Sequence, residues 1–277
     1  MNPDIFQLNE HESTMTLQKW TEESKDLIVG FTTKNGGVSH HPFASLNLGL
    51  HVNDEKEKVI QNRQIVSDNL NMSLSQWICA EQVHENKIVK VTTRDVEKGV
   101  YEYKDGVQAT DGIYTNEPNL LLSLCFADCV PLYFFVPNQS LIGLAHAGWK
   151  GTVKDIAGNM IRKWVHEENV LAKEIFVAIG PSIGDCCYVV DDRVIEEVRH
   201  VLGYEDSAVS YQIVSEGQYA LDLKEVNKLL IQKAGVPTEN IITSSYCTSC
   251  HEELFFSHRR DKGQTGRMLS YIGFRED

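Results

Sequence analysis

The chain has 277 residues, 42% of them hydrophobic, and carries 26 Lys and Arg against 39 Asp and Glu, a formal net charge of −13. This length lies near the size at which one core stops growing, so a single domain over residues 1–277 is expected, or at most two closely joined lobes. So acidic a field argues against nucleic acid or an anionic membrane as partner, yet leaves room for a local basic pocket that takes a small anion.

The opening stretch, MNPDIFQLNEHESTMTLQKW, is acidic and broken by polar residues, and is expected to form a short N-terminal extension over about residues 1–27. It has no charged-then-apolar signal pattern, and no later run reaches the apolar length of a membrane span. The expectation is a cytoplasmic protein without a membrane partner, most simply a monomer. Seven cysteines form an odd, scattered set that suits free thiols in a reducing compartment.

LIVGFTTKNGGVS predicts a strand and a Gly-Gly turn. NDEKEKVIQNRQIVSDNLNM predicts a helix capped by Asn53 or Asp54, with Val59, Val66 and Leu70 on one stripe. Arg63 falls on that stripe too, and a guanidinium there needs an anionic partner, an internal Asp or a bound phosphate. QWICAEQVHENKIVKVTT predicts paired strands around a turn that carries His84. The runs at 130–136 and 141–144 predict adjacent buried strands. Asp128 and Cys129 stand at the mouth of the first, and His146 just past the second.

TVKDIAGNMIRKWVHEE predicts an amphipathic helix with Val153, Ile156, Ala157, Met160, Ile161 and Trp164 on one face. EIFVAIGPSIG predicts a strand ending in a Gly-Pro turn, DDRVIEEVRHVL a helix, and LDLKEVNKLLIQKAGV a helix closed by Gly235 and Pro237. IITSSYC and RMLSYIGF supply late strands. Helices and strands alternate irregularly, which predicts an α+β fold with a mixed sheet covered by helices.

An acid, a thiol and an imidazole at one end of buried strands either satisfy one another or form a site. Zinc takes thiolate sulfur and imidazole nitrogen in tetrahedral sites, and catalytic sites keep one position open. Cys129, His146 and His84 would supply three such ligands. From spacing alone, an inert buried thiol with two hydrogen-bonded histidines accounts for them equally well. The same residues also describe a Cys-His hydrolase, with Cys129 as nucleophile, His146 or His84 as base, and Asp128 or Asp111 as the orienting acid. That requires the chain to turn between Asp128 and Cys129, because successive strand residues face opposite ways.

Cys247, Cys250 and His251 spell the C-x-x-C-H pattern of c-type haem attachment, which belongs outside the cytosol. A structural zinc there would need a second ligand pair at close spacing, so these residues are expected to be small, partly buried groups near a strand end. Cys186 and Cys187 alternate faces, so at most one of them would line a pocket. His258, Arg259, Arg260, Lys262 and Arg267, interleaved with Gly263 and Gly266, form either a phosphate-binding loop or a solvated turn. HAGWKGT opens a helix with glycines, which suits a close ligand or tight packing.

The motifs FTTKNGGVS, FASLNLGLHVND, QVH, ATDGIYT, ADCVPLYF, AHAGWKGT, IGPSIG with CYVV, and FFSHRRDKGQTGRM follow one another in this order. Over residues 31–274 the chain thereby resembles the YlmD/YfiH family, long labelled multicopper polyphenol oxidoreductase or laccase-domain proteins, and within it the YlmD branch. The resemblance implies a layered α/β/β/α fold with mixed β-sheets, of the kind shared with cytotoxic necrotizing factor. It implies zinc on His84, Cys129 and His146. It also implies phosphorolysis of adenosine, inosine and S-methyl-5′-thioadenosine, with deamination of adenosine, so that purine nucleoside and phosphate are the expected partners. A link of the family to peptidoglycan precursors keeps a Cys-His amidase as the alternative.

A laccase is not expected, because copper oxidases need closely spaced histidine pairs and none of the ten histidines forms an H-x-H pair. Copper, at the top of the affinity series, could still enter a Cys/His₂ site. For the chemistry, Asp111 or Asp128 is expected to carry the proton. Arg63 and Arg259 are expected to hold phosphate, with Asn47 as a further polar contact.

Overall fold

A computed structural model describes residues 3–275, and its two large sheets grow from the apolar runs. Leu27–Thr32 and Met268–Phe274 are rich in β-branched and aromatic residues that favour extended backbone. They pair antiparallel at the centre of a six-stranded sheet, with Ser270 opposite Phe31 and Phe274 opposite Leu27. The strand order is Phe6–Leu8, Thr14–Leu17, Leu27–Thr32, Met268–Phe274, Leu121–Phe126 and Trp77–Cys79. The stretch expected as an N-terminal extension is therefore part of this sheet. Its strands of three and four residues are too short to show an alternation, yet Phe6, Met15, Leu17 and Trp20 are buried.

The second sheet runs Ile241–Thr243, Phe176–Ile179, Val130–Val136, Leu141–Ala147, Gly112–Thr115 and Ile88–Lys90. Val130–Val136 and Leu141–Ala147 form an antiparallel hairpin, Val130 opposite Ala147 and Val136 opposite Leu141, and every residue of both strands is buried. The alternation explains the unbroken apolar run. Leu132 and Phe134 face one core while Tyr133 and Phe135 face the other.

Tyr133, Phe135 and Ile142 pack against Phe31, Leu122 and Ile272 of the first sheet, so the two sheets lie face to face. Helices Ile156–Glu167, Asp192–Leu202 and Leu223–Lys233 cover the outer face of the second sheet. Helix Lys56–Leu70 covers the outer face of the first, with Val66 and Leu70 against Trp77, Leu121 and Leu269. The layers are α/β/β/α. A small third sheet, Val189–Asp191, Gln218–Leu221 and Tyr211–Ser215, lies in a region with no sequence expectation beyond its neighbouring helices.

Two local expectations change. The strands flanking QVH do not pair with each other: Trp77–Cys79 runs parallel to Leu121–Phe126 in the first sheet, and Ile88–Lys90 runs parallel to Gly112–Thr115 in the second. Residues 80–87 cross from one sheet to the other, which carries His84 to the end of the hairpin. The helix Lys56–Leu70 starts after Glu55, which gives no side-chain cap, while Asp54 accepts from Glu55 N, Ser39 Oγ and Asn47 Nδ2. Among the described residues no helix is long and apolar enough to cross a membrane.

Candidate active site

The hairpin register sets His146 opposite Pro131, so Cys129, two residues earlier, comes to the same end of the same strand pair. Asp128 takes a left-handed backbone, φ 88°, and supplies the turn that lets Cys129 face the site. His84 is also left-handed, φ 62°, within the crossing between the sheets. The ligand atoms of His84, Cys129 and His146 all lie within 4.8 Å of one another, and the two imidazoles meet edge to face at 4.7 Å.

One buried carboxylate organises both imidazoles. Asp111 Oδ1 accepts from His84 N at 3.0 Å and pairs with His146 Nδ1 at 2.8 Å. Asp111 Oδ2 accepts from Val83 N at 3.2 Å and Glu85 N at 2.9 Å. With Nδ1 engaged, His146 keeps Nε2 for the site. Burial pushes the Asp111 carboxyl up, but His146 and the amides outweigh it and hold it below the usual carboxylate range. Burial likewise opposes ionisation of Cys129, yet His146 and then His84 bring its thiol down to about 6. His146 is lowered by burial and raised more strongly by the Cys129 sulfur and Asp111, to about 9.

These donors fit a metal ion. In a tetrahedral zinc site, bonds of about 2.0–2.3 Å put ligand atoms about 3.3–3.8 Å apart, a small contraction from the present cluster. Gly148 adjoins it: a Cβ there would stand 3.1 Å from Cys129 Sγ and 3.1 Å from His84 Cδ2, so a side chain would crowd two ligands. Two imidazoles and a thiolate leave a fourth position for solvent or substrate.

His84, Cys129 and His146 line a cavity of about 570 Å³, within the range of small-molecule sites. Tyr103, Trp149 and Tyr188 supply aromatic walls, and Lys150, Arg259 and Arg267 supply positive charge. The Arg259 guanidinium lies over the Tyr188 ring at 4.8 Å and donates to Val189 O. Burial lowers Arg267, and burial with the nearby Arg267 brings His51, also on the wall, down to about 4, so that His51 is a neutral imidazole at physiological pH. Burial pushes the Tyr103 phenol up to about 12, which keeps it a proton donor; it donates to Gln82 O.

Several expected roles change here. Arg63 is buried, and its guanidinium donates to Leu48 O, Gly99 O and Val100 O rather than facing the cavity. It fastens three loop carbonyls and does not line the cavity. Replacing it by Met is expected to cost about 3 kcal/mol, since buried carbonyls lose their donor. Urea denaturation measures that cost. Asn47, fully buried, bonds Gly49 N, Arg267 N and Asp54, so it fixes the Arg267 backbone without touching the cavity.

Both Asp111 oxygens are taken up by His146 and the amides of residues 83–85. Asp128 accepts from Thr248 Oγ1, Ser257 Oγ and Arg259 N, and so ties the basic loop to the Cys129 turn. Arg259 alone of the three expected substrate contacts lines the cavity. His51, Gln82, Tyr103 and Tyr188 went without a role in the sequence reading. Their only signal was a place within LGLHVND, QVH, the acidic 101–105 stretch and CYVV.

A family model described as multi-copper polyphenol oxidoreductase laccase matches residues 28–275. A purine nucleoside phosphorylase YlmD of Bacillus subtilis (strain 168) is 50% identical over 267 residues, 95% of each chain. Another of that name, from Geobacillus stearothermophilus, is 50% identical over 275 residues and 99% of each chain. The crystal structure of YlmD from Geobacillus stearothermophilus superposes with a TM-score of 0.95 at 50% identity, covering 99% of this chain and 100% of that one.

Proposed function

The chain belongs to the multi-copper polyphenol oxidoreductase laccase family, and from that premise we propose that it is a purine nucleoside phosphorylase using zinc on His84, Cys129 and His146. One observation carries this reading: the three ligands open onto a cavity that combines aromatic walls with positive charge from Lys150, Arg259 and Arg267. Phosphorolysis needs an anion held in line with the ribose C1′ while the purine departs. Guanidinium forks at Arg259 and Arg267, with the ammonium of Lys150, suit the phosphate oxygens. Tyr103, Trp149 and Tyr188 offer faces for the flat base. His51, kept neutral, donates or accepts one hydrogen bond without adding charge.

Zinc, when bound, supplies Lewis acidity beside the cavity, and the same group supports deamination of adenosine as a second activity. Asp111 keeps His146 in one tautomer and holds residues 83–85, so that both imidazoles stay aimed at one point. Adenosine, inosine and S-methyl-5′-thioadenosine share the purine and ribose that such a cavity takes. A laccase centre is poorly supported, because among the described residues only one group of potential ligands contains histidine.

Purified chain supplied with inosine is expected to release hypoxanthine only when phosphate is present. Dipicolinate removal of metal should abolish this and zinc should restore it. The second reading, a Cys-His amidase, draws on the Asp111–His146–Cys129 line, which resembles a thiol triad. It requires the metal-free chain to hydrolyse amide bonds of muramyl-type precursors, and phosphate-dependent base release would then be absent.

A further inference from the structure

Four cysteines that this chemistry leaves unused meet at a second place. Strands Phe176–Ile179 and Ile241–Thr243 are parallel neighbours, with Ile179 opposite Thr243, so their following segments leave the sheet side by side. One segment carries Cys186 and Cys187, the other Cys247 and Cys250. They are stitched by a bridge between Ser182 and Cys247 and by Thr248 N donating to Ser182 O. All four sulfurs lie within 4.8 Å of one another, with Cys250 Sγ 3.5 Å from Cys186 Sγ and 3.4 Å from Cys187 Sγ. None of the four is in a disulfide.

One backbone amide and one ammonium lie against the cluster. Gly184 N donates to Cys247 Sγ at 3.2 Å. A backbone N–H on the first sulfur of a C-x-x-C turn stabilises negative charge there. Lys224 is buried, spends two donors on Ser244 O and Tyr246 O, and lines one recess with Cys186 and Cys247. His251 turns away, its Nδ1 on Cys247 O, which leaves nothing of a haem ligand set.

We propose that Cys186, Cys187, Cys247 and Cys250 hold a second divalent metal, a structural zinc in a closed tetrathiolate site. A zinc–sulfur bond of about 2.3 Å gives tetrahedral edges near 3.8 Å, inside the spread of the present sulfurs. Four sulfurs leave no open position, so the ion is a fastener rather than a catalyst. Each thiol gives its proton to solvent on binding, and the ion adds its binding energy to folding. What it fastens is the cavity wall. The first segment runs on to Ile183 and Tyr188, and the second to Thr248, which holds Asp128, and to Arg259, which stacks on Tyr188.

The test uses the full chain with Cys129→Ala, which disables the first site. Elemental analysis after dialysis is expected to find one zinc per chain. Its cobalt-substituted form should show the near-ultraviolet sulfur-to-cobalt charge transfer and intense visible bands of a tetrahedral thiolate site. Adding Cys187→Ser and Cys250→Ser should remove both signals and lower the melting temperature. Should that variant not fold, the cobalt spectrum of the Cys129→Ala chain decides alone. A Cys129→Ala chain that binds neither ion overturns the proposal, whether its four thiols remain alkylatable or mass spectrometry shows a pair of hydrogens lost to a disulfide.

Discussion

Cys129→Ala is expected to lose the metal of the histidine site and to lower phosphate-dependent nucleoside turnover by at least about 10³-fold, roughly 4 kcal/mol of barrier. The sulfur is the one anionic donor of the trio, and the two imidazoles cannot replace its charge. Its removal also leaves His146 facing Asp111 without the second anion that raises its basicity. The loss should fall on kcat, with KM for phosphate altered little, because Arg259, Arg267 and Lys150 are untouched. Steady-state kinetics with metal analysis on the same preparation measure both. Full turnover by a chain shown to lack metal at this site would end the zinc mechanism.

How far the fold and the site could be read from residues differs by element. The apolar runs at 130–136 and 141–144 announced a buried hairpin, and from it the meeting of Cys129 with His146 follows by register. The α/β/β/α layering did not follow from periodicity, which supported only a mixed sheet with helices. It came with the family resemblance, and the structure has it. His84 was placed on a turn between paired strands. Its route is a crossing between two sheets, and the three-residue strands on either side carry no signal of which sheet they join.

The anion site was the least legible. Arg63 has a charge that asked for an anion, but its partners are carbonyls of residues 48, 99 and 100, and backbone acceptors leave no mark in a sequence. The four cysteines were hidden for a related reason. A second cysteine pair reaches Cys247 and Cys250 from the segment that follows the neighbouring parallel strand, about sixty residues earlier. Contacts made by side-chain type could be anticipated, whereas contacts made by backbone or by strand order could not.

Asp111→Asn is expected to weaken zinc binding at the histidine site by about 10- to 100-fold and to lower turnover with it, although the substitution changes almost no volume. Four N–H groups now share two carboxylate oxygens: His146 Nδ1 and His84 N on one, Val83 N and Glu85 N on the other. An amide has one oxygen, so either orientation turns an NH₂ towards two donors. If it faces His146, the imidazole loses the partner that fixes its tautomer, and Nε2 no longer stays free for the metal. If it faces residues 83 and 85, the crossing that presents His84 loses two anchors. Each buried donor left without an acceptor costs about 1–3 kcal/mol, so stability should fall as well. A competing chelator indicator measures the affinity, and denaturant unfolding of the metal-free chain separates the stability loss from it. Unchanged zinc affinity in a folded Asn variant would mean that Asp111 is not what aims the two histidines.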